Sequence, residues 1–307
     1  MLPHFSRRHY IAYASICLIW GSTWGAIRLL VRDVPPLRAA GVRFFLAAIV
    51  LLAVALYQNR KLSLTGKQCR ALIVLGFTMM GLPYGLLFWA EYRISSSMTA
   101  VLFSTCPLFV ALFTQLLTQI RVPRRAVFAM VIALGGISVL FYTGLSDSVY
   151  LLLGGGAVML AVVISSWSAV FAKREISDVN PLIGTAIQFC VSAVVLFAGS
   201  LIFEQNRPSD WNQTSILALI FLTVFGSVVA FSVYYWLLRS MQAYQLSTTN
   251  LVVPVIAMAE GALLLREPVP LTMIGAAVLV LVAVAAVLKA EDEKPLSLEL
   301  EEPAVES

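Results

Sequence analysis

Charge is what this chain has least of. Only 12% of its 307 residues are Asp, Glu, Lys or Arg, against about 25% in soluble globular domains. So few charges cannot cover a water-facing surface, which excludes an ordinary soluble domain and makes lipid the solvent for most of the chain. Histidine is nearly absent: His4 and His9 both precede the first long apolar run, and no Asp lies deep within any run. That disfavours a membrane-embedded lipid-modifying enzyme, which needs an acid/base or metal constellation. No P-loop occurs, which argues against a pump driven directly by ATP. Cys17, Cys69, Cys106 and Cys190 have no metal or redox spacing and are read as small buried hydrophobes.

What is abundant is apolar sequence, 60% of the chain, with a mean hydropathy of +0.90. A bilayer-crossing helix needs about 20 apolar residues. That window picks out ten segments: 10–31, 37–57, 71–90, 94–119, 124–143, 150–172, 181–203, 214–238, 243–265 and 271–289. The first is too long for a signal core of roughly 7–15 residues and has no small-residue cleavage site after it, so it reads as a permanent span. With the N-terminus in the cytoplasm, inside segments hold 14 Lys and Arg residues and outside loops hold 5. The positive-inside rule therefore puts both termini in the cytoplasm. The net charge of +5 is an orientation signal rather than a nucleic-acid footprint. The stretch 290–307 carries Glu291, Asp292, Glu293, Glu299, Glu301, Glu302 and Glu306, and is expected to be a disordered acidic cytoplasmic tail.

The chain also matches itself. Trp20 and Trp167, Trp89 and Trp236, Pro107 and Pro254, and Pro123 and Pro270 are each 147 residues apart. The expected organisation is a cytoplasmic N-terminus over 1–9, one repeat over 10–143, a second over 150–289, and the tail. Five spans per half is an odd number, so the second half enters the membrane inverted. The fold class expected is thus an all-α integral membrane protein of ten transmembrane helices in two inverted five-helix repeats, an architecture suited to alternating access.

The stretch IWGSTWGAIRLLVRDVPPLRAAGVRFFLAA (19–48) resembles the opening of EamA-type proteins of the drug/metabolite transporter superfamily. SMTAVLFSTCPLFVALFTQLL (97–117) is similar to their fourth helix, and STTNLVVPVIAMAEGALLLREPV (247–269) to their ninth. The resemblance covers roughly residues 10–289. It implies a secondary transporter of small metabolites (amino acids, their derivatives or drug-like amines) in the cell inner membrane, working in the export direction. It implies no enzyme activity and no cofactor. The partners it leaves are a small-molecule substrate, protons as a candidate coupling ion, the lipid bilayer and a second copy of the chain. A lipid-modifying enzyme or a non-transporting accessory protein is the alternative.

Candidate binding residues are the polar and aromatic groups inside spans. Arg43 and Glu260 each lie roughly 8–9 Å below the outer interface at 1.5 Å per residue, and ionisable groups at such depth are costly. They read as a pair, or as two ends of one polar site, with snorkelling or a fixed structural bridge the alternative for Arg43. Glu260 is read as facing a cavity, where it would bind a substrate ammonium or carry a coupling proton. Pro107 and Pro254, mid-span, are read as helix kinks that free carbonyls. Ser104, Thr105, Thr248, Thr249 and Asn250 just before them either bind substrate or satisfy the freed backbone. Trp20, Trp24, Tyr84, Trp89, Trp167, Tyr234, Tyr235 and Trp236 form an aromatic set suited to a cavity, although packing is the commoner use of any one of them. Ser22, Ser166 and Ser168 flank the two mid-span tryptophans. Gly154-Gly155-Gly156 precedes no phosphate-binding lysine and is read as a helix-packing site. The repeat is imperfect where chemistry would sit, since Glu260 aligns with Phe113 and Arg43 with Cys190.

Overall fold

The computed structural model describes residues 6–59, 64–94, 96–141, 149–264 and 271–289. The regular elements of these residues are helical: α1 (Arg7–Asp33), α2 (Pro36–Tyr57), α3 (Gly66–Leu75), α4 (Leu82–Glu91), α5 (Ser96–Phe103), α6 (Cys106–Leu117), α7 (Arg124–Phe141), α8 (Val149–Glu175), α9 (Pro181–Phe203), α10 (Gln213–Thr223), α11 (Ala230–Ser240), α12 (Ala243–Ser247), α13 (Thr249–Leu264) and α14 (Leu271–Leu288). Every apolar segment of the sequence contains one helix or a consecutive pair. Among the described residues, 7 helical stretches are long and apolar enough to cross a membrane. The acidic tail, the Arg266–Pro270 joint and the side chain of Glu260 lie outside the described residues.

Helix starts follow local chemistry. Pro36 and Pro181 occupy first-turn positions, where a missing N–H costs nothing. Thr65 and Gln68 form a reciprocal capping box, which satisfies two orphan amides of α3. Asn212 caps α10, and both its amide and the Ser215 hydroxyl bind the Asp33 carboxylate at the end of α1.

Two π turns interrupt this geometry, at Gly76–Gly81 between α3 and α4 and at Val224–Val229 between α10 and α11. They begin 148 residues apart. The first sits against α9, where an added Cβ on Gly76 would come within 2.6 Å of Val191.

Packing follows the same periodicity. Shifted by 147 residues, α2 falls on α9 and α7 falls on α14, and each helix packs against its own counterpart. Likewise α4 packs on α8 as α1 packs on α10 and α11. Helix α1 crosses α13 at Gly21, whose added Cβ would lie 2.5 Å from Ile256. Basic side chains tie helix ends together: Arg174 reaches the carbonyl of Leu117, Lys173 that of Leu238, and Arg239 those of Ser177 and Asp178. Cations there match the negative ends of the helix dipoles.

The outer surface is apolar. Leu56, Phe128, Val194, Leu201 and Phe203 are each at least two-thirds exposed, which suits a surface solvated by acyl chains rather than water. Cys190 is exposed on that surface and Cys69 is exposed too. This corrects the reading of all four cysteines as buried. Helix periodicity carries Cys190 to the lipid-facing side of α9, while Phe189 beside it is enclosed.

Candidate functional site: a central aromatic cavity

Between the helices lies a cavity of about 90 Å³. Its wall is drawn from α1, α4, α5, α6, α8, α11, α12 and α13 together with Met79 of the first π turn. On α1 the lining residues are Trp20, Thr23, Trp24 and Ile27, the i, i+3, i+4, i+7 stripe of one helix face. Phe231 and Tyr234 repeat that spacing on α11, and Phe103, Cys106 and Val110 occupy the broken segment across α5 and α6.

The aromatic groups pack on one another around the space. Trp20 lies 5.4 Å from Phe231 and 5.7 Å from Tyr234, and Trp24 lies 5.8 Å from Phe103, centroid to centroid. The indole nitrogen of Trp20 is buried and has no hydrogen-bond partner among the described residues. A buried N–H without an acceptor is costly, and an oxygen brought alongside it would relieve that cost.

The two helix breaks meet at the cavity. The first falls at Ser104–Thr105, and Pro107 follows as an early residue of α6. The second falls at Thr248, and Pro254 then sits inside a continuous α13. The interruptions therefore precede the prolines instead of coinciding with them. Pro254 has no N–H, so the Asn250 carbonyl four residues back loses its helical donor. Ser104 replaces it: its single hydroxyl proton is shared between Ala100 O at 2.7 Å and Asn250 O at 3.0 Å. The hydroxyl of Ser104 thus performs backbone satisfaction, while Asn250 and Thr249 line the space. This assignment can be measured by a double-mutant cycle. Ser104→Ala is expected to cost about 1 kcal/mol of stability in detergent. The same change in a Pro254→Ala background, where an amide again reaches Asn250 O, is expected to cost little. Equal costs in both backgrounds would refute it.

Arg43 is 1% exposed and sits one residue behind the cavity wall, not on it. Its Nε donates to Ser227 Oγ at 2.7 Å and its Nη2 to Gly226 O at 3.1 Å, both in the second π turn. Its guanidinium lies 5.2 Å from the ring centres of Phe44 and Tyr84 and 5.9 Å from Phe88. Tyr84 separates it from the cavity, and Nη1 has no partner among the described residues. An added Cβ on Gly226 would press on Thr23 at 3.0 Å and on Arg43 Nη2 at 3.2 Å, so glycine there lets the cation reach the carbonyl.

Of the expected binding residues, the structure gathers Trp20, Trp24, Tyr84, Tyr234 and Asn250 at the cavity. Ser104 lies beside them. Ser22 donates to Leu18 O, and Trp167 stacks on Phe171 at 4.9 Å; neither lines the space. Trp89 lines a separate crevice with Arg93. Ser166 contacts Cys106, and Ser168 contacts Thr78. Gly154 does pack closely, since an added Cβ would lie 2.8 Å from Ile94, but Gly156 faces open space. Thr23, Phe103 and Phe231 were not expected at the cavity; the helical spacing from Trp20 and Tyr234 is the signal that places Thr23 and Phe231. Glu91, wholly buried at the end of α4, escapes a window that ends the span at residue 90.

Contacts bridge α1 to its neighbours on both sides of the cavity. Tyr13 OH bonds Thr248 Oγ1 at 2.7 Å. Fifteen residues later, the Arg28 guanidinium donates to the carbonyls of Glu91 and Ile94.

The model of the EamA-like transporter family matches this chain twice, over residues 8–142 and 152–289. The chain belongs to the EamA-like transporter family. It is 29% identical over 268 residues to the uncharacterized transporter YoaV of Bacillus subtilis (strain 168), covering 87% of this chain and 91% of that protein. It is 31% identical over 265 residues to the uncharacterized inner membrane transporter YedA of Escherichia coli (strain K12), covering 85% and 82%. A solved crystal structure matches with a TM-score of 0.77 at 18% identity, covering 97% of this chain and 100% of the other, a likeness of fold. The chain is accordingly a membrane transporter of the EamA type, with the aromatic cavity at its centre.

Proposed function

We propose that this EamA-family protein is a secondary transporter that moves small metabolites out of the cell by alternating access through the central cavity. The reading rests on ten spans arranged as two inverted five-helix halves, 10–143 and 150–289, in the cell inner membrane with both termini cytoplasmic. Support comes from the double family match, from the packing of α2 on α9 and α7 on α14, and from the paired π turns.

The observation that carries the proposal is the cavity wall. It is built from equivalent helices of both halves, so a movement of one half against the other reshapes it. At about 90 Å³ the space is smaller than the roughly 300–1,000 Å³ of an open ligand pocket, as a closed stage of such a cycle requires. Along α1, Tyr13 and Arg28 stand about 10–12 Å to either side of Trp20 at 1.5 Å per residue. Their bridges to Thr248 and to the end of α4 are the contacts we assign as the two closures.

The wall also suggests the cargo. Six aromatic side chains, Trp20, Trp24, Tyr84, Phe103, Phe231 and Tyr234, offer an apolar surface, and the Trp20 N–H offers one unmatched donor. An amino acid or amino acid derivative, with an apolar body and a carbonyl or carboxylate oxygen, uses both. Glu260 on α13 stays in the proposal as the candidate for a substrate ammonium or a coupling proton.

The test is flux in proteoliposomes, guided by thermal shift against a panel of amino acids, their derivatives and amines. A binding solute raises the unfolding temperature by mass action. The expected result is saturable counterflow of that solute. Binding without flux would favour an accessory protein, and chemical conversion of a lipid or solute would favour an enzyme.

A further inference from the structure

A second space, unrelated to the central cavity, opens between α4, α8 and α9. It is a crevice of about 760 Å³. Leu86, Leu153, Val195, Leu196 and Phe203 line it, and Leu153 and Phe203 at its rim are more than half exposed. Small residues, Gly81, Gly85, Ala157 and Gly199, make it deep. Its far end is different in kind. There stand Trp89, Arg93, Glu204 and Arg207.

The charges at that end do not cancel. Both oxygens of Glu204 are engaged elsewhere, accepting from the backbone amides of Leu37 and Arg38 at 2.9 and 3.0 Å. The carboxylate thus serves the N-terminus of α2, where a negative charge is favoured. Arg93 stacks on Trp89 with its guanidinium 3.8 Å from the ring centre, and Arg207 lies 4.6 Å from the ring of Tyr92. Arg93 Nη1 is buried and has no partner among the described residues. The ion pairs of the described residues lie elsewhere, at Glu175. Two guanidiniums held on aromatic faces, one with an unused donor, therefore cap an apolar trough that opens toward the bilayer.

We infer that this crevice binds an anionic phospholipid, with its phosphate at Arg93 and Arg207 and one acyl chain along α4, α8 and α9. The planar guanidinium fork matches phosphate oxygens in pairs. Trp89 and Tyr92 sit where amphipathic rings favour the headgroup level. The chain fills the trough with contacts that an empty crevice lacks. Under the orientation proposed above, the lipid belongs to the outer leaflet. It would hold α4 against α8 and α9 at that end of the bundle, close to the Arg28 bridge.

The experiment uses the purified full-length protein, stripped of lipid in detergent. Thermal unfolding is followed while phosphatidylglycerol, phosphatidylcholine or inorganic phosphate is added. Phosphatidylglycerol is expected to raise the midpoint by several degrees and to bind about thirtyfold more tightly than phosphatidylcholine, the scale of two basic residues acting on one anionic lipid. Inorganic phosphate is expected to produce no shift. The Arg93→Gln/Arg207→Gln variant should lose the preference for phosphatidylglycerol. Val195→Trp, which fills the trough and keeps both arginines, should lose the shift from either lipid. Native mass spectrometry of the unmutated protein with both lipids gives the same comparison without any variant. Equal affinity for the two lipids, an equal shift from phosphate alone, or an unchanged response in the double variant each overturns the proposal.

Discussion

Trp20→Phe is expected to weaken substrate binding about tenfold, the value of one net hydrogen bond of roughly 1–1.5 kcal/mol. Phenylalanine keeps a ring against Phe231 and Tyr234 but removes the indole N–H, a buried donor with no acceptor among the described residues. The defect should appear as a raised KM for counterflow in proteoliposomes, with an unfolding midpoint close to that of the unmutated protein. Trp20→Ala is less informative, because emptying one wall of a packed space costs about 3–5 kcal/mol of stability in its own right. A Trp20→Phe protein with unchanged KM would show that the N–H faces no substrate oxygen, and would move the polar contact to Asn250 or Thr249.

Arg43→Ala should cause a large loss of stability, about 3–5 kcal/mol. Two losses combine. The aromatic enclosure of Phe44, Tyr84 and Phe88 is left hollow, and the Gly226 carbonyl of the second π turn loses the donor that reaches it. Arg43→Met separates these contributions, since it fills much of the volume, leaves the carbonyl unmatched and removes the cost of a buried cation. It should fall between alanine and the unmutated protein. Thermal unfolding in detergent reads both variants. If alanine and arginine unfold together, the guanidinium holds nothing in place, and its contact with Tyr84 becomes a matter of cavity electrostatics alone.

Much of the helical framework can be read from residue types alone, because a bilayer imposes one demand on every span. The window over 181–203 coincides with α9, since Pro181 starts that helix and the polar stretch Glu204–Asp210 follows it. The broken helices were legible as places but not as geometry. Proline chemistry marks Pro107 and Pro254, yet the interruptions fall at Ser104–Thr105 and Thr248. The reason is tertiary: a hydroxyl from the break between α5 and α6 relieves the Asn250 carbonyl and lets α13 run on through its proline. Trp20 and Trp167 are equal by repeat and unequal by place, because only one faces the cavity while the other stacks on Phe171. Arg43 was conspicuous as a buried charge, but its partners lie on Gly226 and Ser227, more than 180 residues away, and no local pattern announces them. Trp89 belongs to the crevice for a comparable reason, since its neighbour Arg93 falls beyond the end of the apolar run.

The paired π turns have a mechanical consequence. Each holds one residue more than the α turn it replaces, and each lies upstream of a cavity aromatic: Gly76–Gly81 before Tyr84, and Val224–Val229 before Tyr234. Tightening either turn to α geometry would rotate everything beyond it by about 100° around the helix axis. That would swing its tyrosine off the cavity wall without bending the helix or shifting its far end by more than one residue's rise. The same register change would be open to both halves at matching positions, and at the second the bonds of Arg43 to Gly226 and Ser227 hold the wider turn.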